Sequence, residues 1–484
     1  VTKTKSTKVK PSRASEAVSR LFDMPYSATA PRLINPELGL HNLVARAGHN
    51  AGYLIDVTLL DAPDHRLIRS GVLLAHRVVD GRGEWYLGAP EWAPLLPEER
   101  IEPMGHTDIP QEFADLIAPF RRRATLGPVA ALSCERREFA LRDDRGHTLA
   151  LLRDDRVTVR RGGLTTARYR EVTLTPIGPG LTAEQQAWLT QALLSCGSTE
   201  VEAFPPLPIR LGAPATGLTD FPVPKPSDAD TPFAHFVSAL LAARLREILE
   251  ADLAVRVGRR DAAAELGSRA SLLDRQLAGL SAVMDPGWTE DLDEELEWIA
   301  GQAETEHLRV TDRFDGQPPG SLADRLRGER YLTMLDRLVN ASRAPRLGDS
   351  STLPTGEVVR TLVESRLKRL RKLADRVRPE SSQQDWDAVE VAAADLFRVC
   401  EIAAQIGDRP SRKLTDRIKD AVELLSQANR HARAAQGVGV LAEGTPPTQA
   451  FEAGRRYEQE LVRAEHARAA FLQEWSRAAK KLDQ

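Results

Sequence analysis

A change of hydrophobic period divides this 484-residue chain. Up to about residue 176 the text alternates apolar and polar residues, as in GYLIDVTLLD, GVLLAHRVVDGRGEWYLG and ARYREVTLTP; beyond residue 231 apolar residues recur every three or four positions. Period two belongs to strands and period 3.6 to helices. Strands first and helices afterwards make an α+β chain with an antiparallel sheet, because parallel strands need a crossover between each pair. In YREVTLTP, Tyr169, Glu171, Thr173 and Thr175 fall on one face and Arg170, Val172 and Leu174 on the other. EFALRDDRGHTLALLRDD reads as a hairpin turning at Asp144 to Gly146. LTAEQQAWLTQALLSCG supplies a Thr182 N-cap, an amphipathic helix and a stop at Gly197.

Prolines crowd the stretch from Phe204 to Phe233, which favours an extended linker. Further on, Leu292, Leu296, Ile299 and Ala303 share one helical face, as do Val363, Leu367, Leu370, Ala374 and Val377. Breakers such as DPGW, GQPPGS and GDRPS cut this half into helices of bundle length. The expected organisation is a disordered basic tail over 1–14, a sheet domain over 15–205, a Pro-rich linker over 206–230 and a helical domain over 231–484.

A formal charge of −3 gives the whole chain no bulk attraction for nucleic acid or acidic lipid. Cys134, Cys196 and Cys400 form no CxxC, which points away from a zinc ribbon or a disulfide framework and towards a reducing cytoplasm. VTKTKSTKVKPSR carries five basic residues with no apolar run behind them, unlike a signal peptide, and no stretch approaches the roughly 20 apolar residues of a membrane span. His235, His307, His431 and His466 lack a second His or Cys at i+3 or i+4, and GAPATG lacks the Lys-Ser/Thr of a phosphate loop. The densest basic helix, ESRLKRLRKLADRVRPE, surrounds its apolar stripe with charge as a solvated helix does; SRKLTDRIKD would add Arg412, Lys413, Arg417 and Lys419 if the bundle brings the two together.

A charged strand meander, a Pro-rich stretch and a helical half, in that order, resemble the CYTH–CHAD proteins. CYTH is the triphosphate tunnel metalloenzyme fold, an antiparallel β-barrel, and CHAD is a helical-bundle domain associated with polyphosphate. The likeness is carried by DAPDHRLIRSGVLLAHRVVDGRGEWYLGAPE, by PVAALSCERREFALRDDRGHTLALLRDDRVTV with RYREVTLTP, and by DLDEELEWIAGQAE and TPPTQAFEAGRRYEQELVRAEHARAAFLQEWSRA in the helical half. It implies a first-strand Glu-x-Glu-x-Lys, phosphate-gripping basic residues and late acids that hold a divalent metal. On this chain EAVSRLF would be the first strand, with Glu16 and Arg20 in the outer positions and Val18 replacing the central acid. The lysine of the family's Trp-x-Leu-Lys falls on Gly88. Arg77, Arg100, Arg136 and Arg137 then stand as phosphate ligands beside Arg20, Asp155 and Glu171 as metal ligands with Glu16, and Thr173 takes the place of an acid. In the helical half the family's first histidine falls near Ala264 and its arginines near Gly267, Ser271, Leu272 and Asp274; the second histidine falls near Ala388, leaving Arg398 as a basic position. Residues 231–484 sum to about −3, a poor charge for a polyphosphate binder that gains affinity from counterion release.

The resemblance therefore implies a divergent member that binds triphosphate- or polyphosphate-type ligands or a protein partner and is catalytically weak or inactive. Two other readings stay open. One is a working triphosphatase in which Glu16 and Glu171 act with Mg²⁺ or Mn²⁺ and a metal-polarised water attacks phosphorus; the other is a helical scaffold.

Overall fold

The computed structural model describes residues 19–46, 53–105, 108–178, 180–312, 321–442 and 447–482. The chain forms two compact units, residues 1–220 and 221–484. The expected basic tail and Glu16 lie outside the described residues.

In the first unit the strands are β1 (Arg20–Met24), β2 (Asn42–Ala45), β3 (Tyr53–Asp61), β4 (Leu73–Val79), β5 (Arg82–Gly88), β6 (Arg100–Pro103), β7 (Gly127–Arg142), β8 (Thr148–Arg161), β9 (Leu164–Pro176) and β10 (Thr199–Val201). They build one ten-stranded sheet in the order β10-β1-β9-β8-β7-β3-β4-β5-β6, with β2 also paired to β7. Every pairing is antiparallel. The expected closed barrel is corrected here, because among the described residues β6 and β10 do not pair with each other and the hydrogen-bonded sheet stays open. Both edge strands are short, and Arg100 of β6 is ion-paired to Glu112 of a helix instead of facing another strand. That helix is α2 (Gln111–Arg121); α1 (Arg66–Arg69) precedes it, and α3 (Ala183–Leu194) and α4 (Leu207–Leu211) follow the long strands.

Two faces with different tasks follow from the register. On the core face Phe22 and Met24 of β1, Leu152 of β8 and Val172 and Leu174 of β9 pack with Leu189 and Leu193 of α3. A reciprocal capping box starts α3, with Thr182 and Gln185 each bonding the other's backbone N–H. The opposite face is polar at one end and apolar at the other, where Leu59, Ala75, Ala130, Val157 and Val159 pack with Leu211 and Ala215. Part of the Pro-rich stretch thus folds onto the sheet as α4. Arg161 pins it by donating to the carbonyls of Leu211 at 2.6 Å and Ala213 at 2.9 Å.

One charged pair sits inside the core face. Arg170 is 1 % exposed and donates from Nε and Nη2 to the two oxygens of Asp154, both at 2.7 Å, and from Nη1 to the Ala28 carbonyl at 2.7 Å. The bidentate geometry offsets the desolvation of both ions.

The second unit is helical: α5 (Phe233–Arg256), α6 (Ala262–Leu280), α7 (Pro286–Asp312), α8 (Leu322–Arg327), α9 (Glu329–Arg343), α10 (Thr355–Ala374), α11 (Gln383–Gln405), α12 (Arg409–Ala442) and α13 (Pro447–Leu482). Helices α5, α6, α7 and α9 pack together, α10 to α13 pack in sequence, and α6 meets α11 between the two sets. Leu292, Leu296, Ile299 and Ala303 are buried along α7, as their spacing predicts. In the second set the Trp386 ring meets Phe471 edge-on at 5.7 Å, and Trp475 donates its indole N–H to Asp375 at 2.9 Å.

Because the Arg170–Asp154 pair is buried, Arg170→Met is expected to destabilise the sheet unit by about 3–5 kcal/mol, whereas the double change Arg170→Met/Asp154→Leu should recover much of that loss. Hydrogen exchange of the β8 and β9 amides measures both.

Candidate functional site on the polar sheet face

Cross-strand register decides which charged groups meet. Asp23 lies opposite Glu171, Glu171 opposite Asp155, and Asp155 opposite Arg136, so β1, β9, β8 and β7 carry an acid–acid–acid–base row across the polar face. The row continues to Tyr53 of β3, opposite Arg136; further along the face, Arg77 of β4 lies opposite Glu84 of β5. Glu171 therefore belongs to a row of charges beside an apolar cluster, not to the wet side of an ordinary sheet.

Each acid of the row has a guanidinium partner. Arg136 donates to both oxygens of Asp155, at 2.7 and 2.9 Å, and to the Tyr53 hydroxyl at 3.2 Å. Arg153 adds a 3.3 Å contact to Asp155 and reaches the Thr173 hydroxyl at 3.5 Å. From α4, Arg210 donates to Asp23 at 3.1 Å and to Glu171 at 3.2 Å while lying 4.3 Å from the Tyr169 ring centroid. Burial raises the Glu171 carboxyl above its ordinary range; Arg210 opposes that shift, and Asp155 and Asp23 reinforce it. Burial also pushes the Cys134 thiol up to about 12, so this cysteine is a packing residue at neutral pH.

The candidates read from the sequence divide between the faces. Arg77, Arg136, Asp155 and Glu171 share the polar face. Arg20 points to the core face, where it pairs with Glu200 at 2.6 Å and bonds Thr190 of α3. Arg137 is on that same side, paired with Glu135, and Arg100 is held by Glu102 and Glu112, so none of these three joins the row. Arg398 is in the helical unit, on α11, paired with Asp395 at 3.0 Å. Gly88 is explained by a neighbour on its own strand: a Cβ at 88 would meet the Tyr86 hydroxyl at 2.8 Å, and Tyr86 in turn carries the Arg77 guanidinium 4.2 Å from its ring centroid. The sequence reading passed over Asp23, Arg153 and Arg210. Asp23 continues the alternation of RLFDM by two residues from Leu21, whereas Arg210 lies in LPIRLG, which has no period that would place it on a sheet.

Among the described residues the donor set does not fit a divalent metal. Mg²⁺ and Mn²⁺ ask for carboxylate oxygens free to join a shell of waters and phosphate, yet both oxygens of Asp155 are engaged by Arg136, Asp23 and Glu171 share Arg210, and the next position on β9 is Thr173. Among the described residues no group of three His, Cys, Asp or Glu side chains is placed to hold a metal ion.

In the helical unit, Ala264, Gly267, Ser271 and Asp274 line a cavity of about 450 Å³ between α6 and α7. Its acidic lining is Asp274, Glu297 and Glu304, which repels a polyanion. A second cavity, of about 660 Å³, lies between α10 and α12; its charged lining is Arg360, Arg409, Lys413 and Arg417 with the acids Glu364 and Asp408, so basic groups outnumber acids there.

No family profile matches the chain, and no curated protein does. Solved structures are similar to parts of it. PptA from Streptomyces chartreusis is 19% identical, with 51% of this chain and 100% of PptA covered and a TM-score of 0.38. A Bacillus halodurans protein described as a candidate adenylate cyclase is 12% identical over 35% of this chain and 94% of its own, with a TM-score of 0.21. HpAC1 from Hippeastrum, described as having a dominant triphosphatase activity, is 12% identical over 39% of this chain and 91% of its own, with a TM-score of 0.20. At these values the reading of the site rests on its own geometry.

The acids beside the α6–α7 cavity make a test of its electrostatics. Burial, then Asp274, Glu297 and Glu290, push the Asp293 carboxyl up to about 6. A carboxyl raised in the folded state holds its proton after the unfolded chain has lost it, so its contribution to stability falls as pH rises from about 4 to about 6. Asp293→Asn is accordingly expected to stabilise the helical unit by about 1–2 kcal/mol at pH 7.5 and to change little at pH 4, as read by denaturant midpoints at the two pH values.

Proposed function

We propose that the sheet unit binds a phosphate-rich anion on its polar face without a divalent metal and without hydrolysing it. The carrying observation is the pairing of Asp155 with Arg136 and of Asp23 and Glu171 with Arg210, which supplies cationic groups and commits both oxygens of Asp155 and one oxygen each of Asp23 and Glu171 to guanidinium donors. Arg77, Arg136, Arg153 and Arg210 present planar guanidinium donors on one face. A guanidinium that already bonds a carboxylate bidentately offers the same fork to a phosphate, so a triphosphate enters by exchanging partners. Arg153, whose side chain is 43 % exposed, and the exposed Arg82 at the β4–β5 turn are the first cations such a ligand meets. Thr173 contributes a hydroxyl to a phosphate oxygen and no charge to a metal.

The α10–α12 cavity supports a second reading, in which the anion docks on the helical unit. Arg360, Arg409 and Lys413 line it, and Arg417 spends one N–H on the Lys481 carbonyl at 2.9 Å.

Inorganic triphosphate separates these readings. The purified chain is expected to bind it in calorimetry with an affinity that falls steeply with salt, to lose about tenfold or more of that affinity in Arg82→Glu/Arg153→Glu, and to keep it in Arg360→Glu/Lys413→Glu. Loss in the second variant alone moves the site to the helical unit. Phosphate release with Mg²⁺ or Mn²⁺ that vanishes in Glu171→Ala would establish a triphosphatase in place of the proposed binder.

A further inference from the structure

We infer that Arg210 is the resident cation of the Asp23–Glu171 acid pair, occupying the position a divalent metal would take and closing it to metal. The inference rests on the metal-free reading above and concerns what makes that face metal-free.

Three observations converge on this residue. First, the register places carboxylates on three adjacent strands, Asp23 on β1, Glu171 on β9 and Asp155 on β8, and directly opposed side chains in such a sheet are about 5 Å apart at Cβ. Hard cations favour carboxylate oxygens, and the pair that shares one guanidinium, Asp23 and Glu171, is where such a cation would compete, although the three acids together are not placed to hold a metal ion as they stand. Second, only one acid of the row is matched from within it. Arg136 takes both oxygens of Asp155, which leaves Asp23 and Glu171 as two acids facing a single positive group, and Arg210 touches both. Third, Arg210 is delivered by a fixed element. Leu211 beside it is 6 % exposed in the apolar cluster, Arg161 holds the helix by two backbone carbonyls, and the guanidinium stacks on Tyr169.

The chemistry is a competition for one place. A guanidinium donates hydrogen bonds but adds no ligand to a metal, so a cation entering between Asp23 and Glu171 must first remove Arg210 from its stacked and ion-paired position. Without Arg210, two half-buried acids with Asp155 behind them repel one another; the deficit is met by a proton or by a metal ion.

Manganese binding in the absence of any phosphate ligand tests this on the full chain, using the electron paramagnetic resonance of free Mn²⁺. Arg210→Met keeps most of the side chain's apolar stem over Tyr169 and removes the charge. The expected result is Mn²⁺ binding at least about tenfold tighter in Arg210→Met than in the unaltered chain, lost again in Arg210→Met/Glu171→Gln. Equal binding in the two proteins, whether measurable or absent, overturns the inference. Should Arg210→Met fail to fold, the unaltered chain decides alone: no saturable Mn²⁺ site supports the inference, and a saturable site that disappears in Glu171→Gln overturns it. Because no triphosphate is present, failure here leaves the anion-binding reading to be judged by its own titration.

Discussion

Two neighbouring aspartates that point in opposite directions organise the sheet. Asp154 turns into the core face and meets Arg170, while Asp155 turns into the polar face and meets Arg136. Each pair crosses to a different neighbouring strand, β9 for the first and β7 for the second, so the β8–β9 register is tied on the core face and the β7–β8 register on the polar face. A slip of one residue would carry Asp154 away from Arg170 and leave a buried charge with no partner, and the same slip would break the row on the other side. The ion pairs therefore act less as a source of net stability than as a condition that only one pairing of the strands meets.

On the polar face the same matching of charge has a functional side. A face rich in arginine could attract phosphate, and a face rich in carboxylate could hold a metal; placing both within bonding distance cancels much of each tendency at long range. What is left is a surface on which partners can be exchanged at short range, with the apolar cluster at one end keeping water from the contacts that Arg210 and Tyr169 make.

Much of this was readable in advance because period-two text is a direct image of a two-faced sheet. The alternation of YREVTLTP put Glu171 and Thr173 on the face where they stand, and the RDD doublet ahead of DRVTV marked the strand that faces them. The buried face of α7 followed from spacing in the same way; on α10 Val363, Leu370 and Ala374 are buried as expected, whereas Leu367 is only partly covered and Val377 is buried beyond the helix end. What was not readable were contacts between residues with no shared period. Arg210 comes from a five-residue helix in proline-rich text, and nothing local to LPIRLG says that it will cross to strands nearly forty residues earlier and beyond. Arg20 failed for another reason: the first strand begins at Arg20, and its pairing with Leu174 puts the guanidinium on the core face. Closure of the sheet was also beyond a pattern argument, because alternation fixes faces and is silent about whether the two edges meet.

The glycine at the end of β5 has a bearing on where this sequence can travel. Its missing side chain is not open space, since the Tyr86 phenol occupies the volume that any Cβ at 88 would enter. A lysine introduced there would have to displace a ring already engaged with Arg77. Any side chain at this position has to be accommodated by Tyr86 first, so a substitution at 88 is in effect a change at two sites.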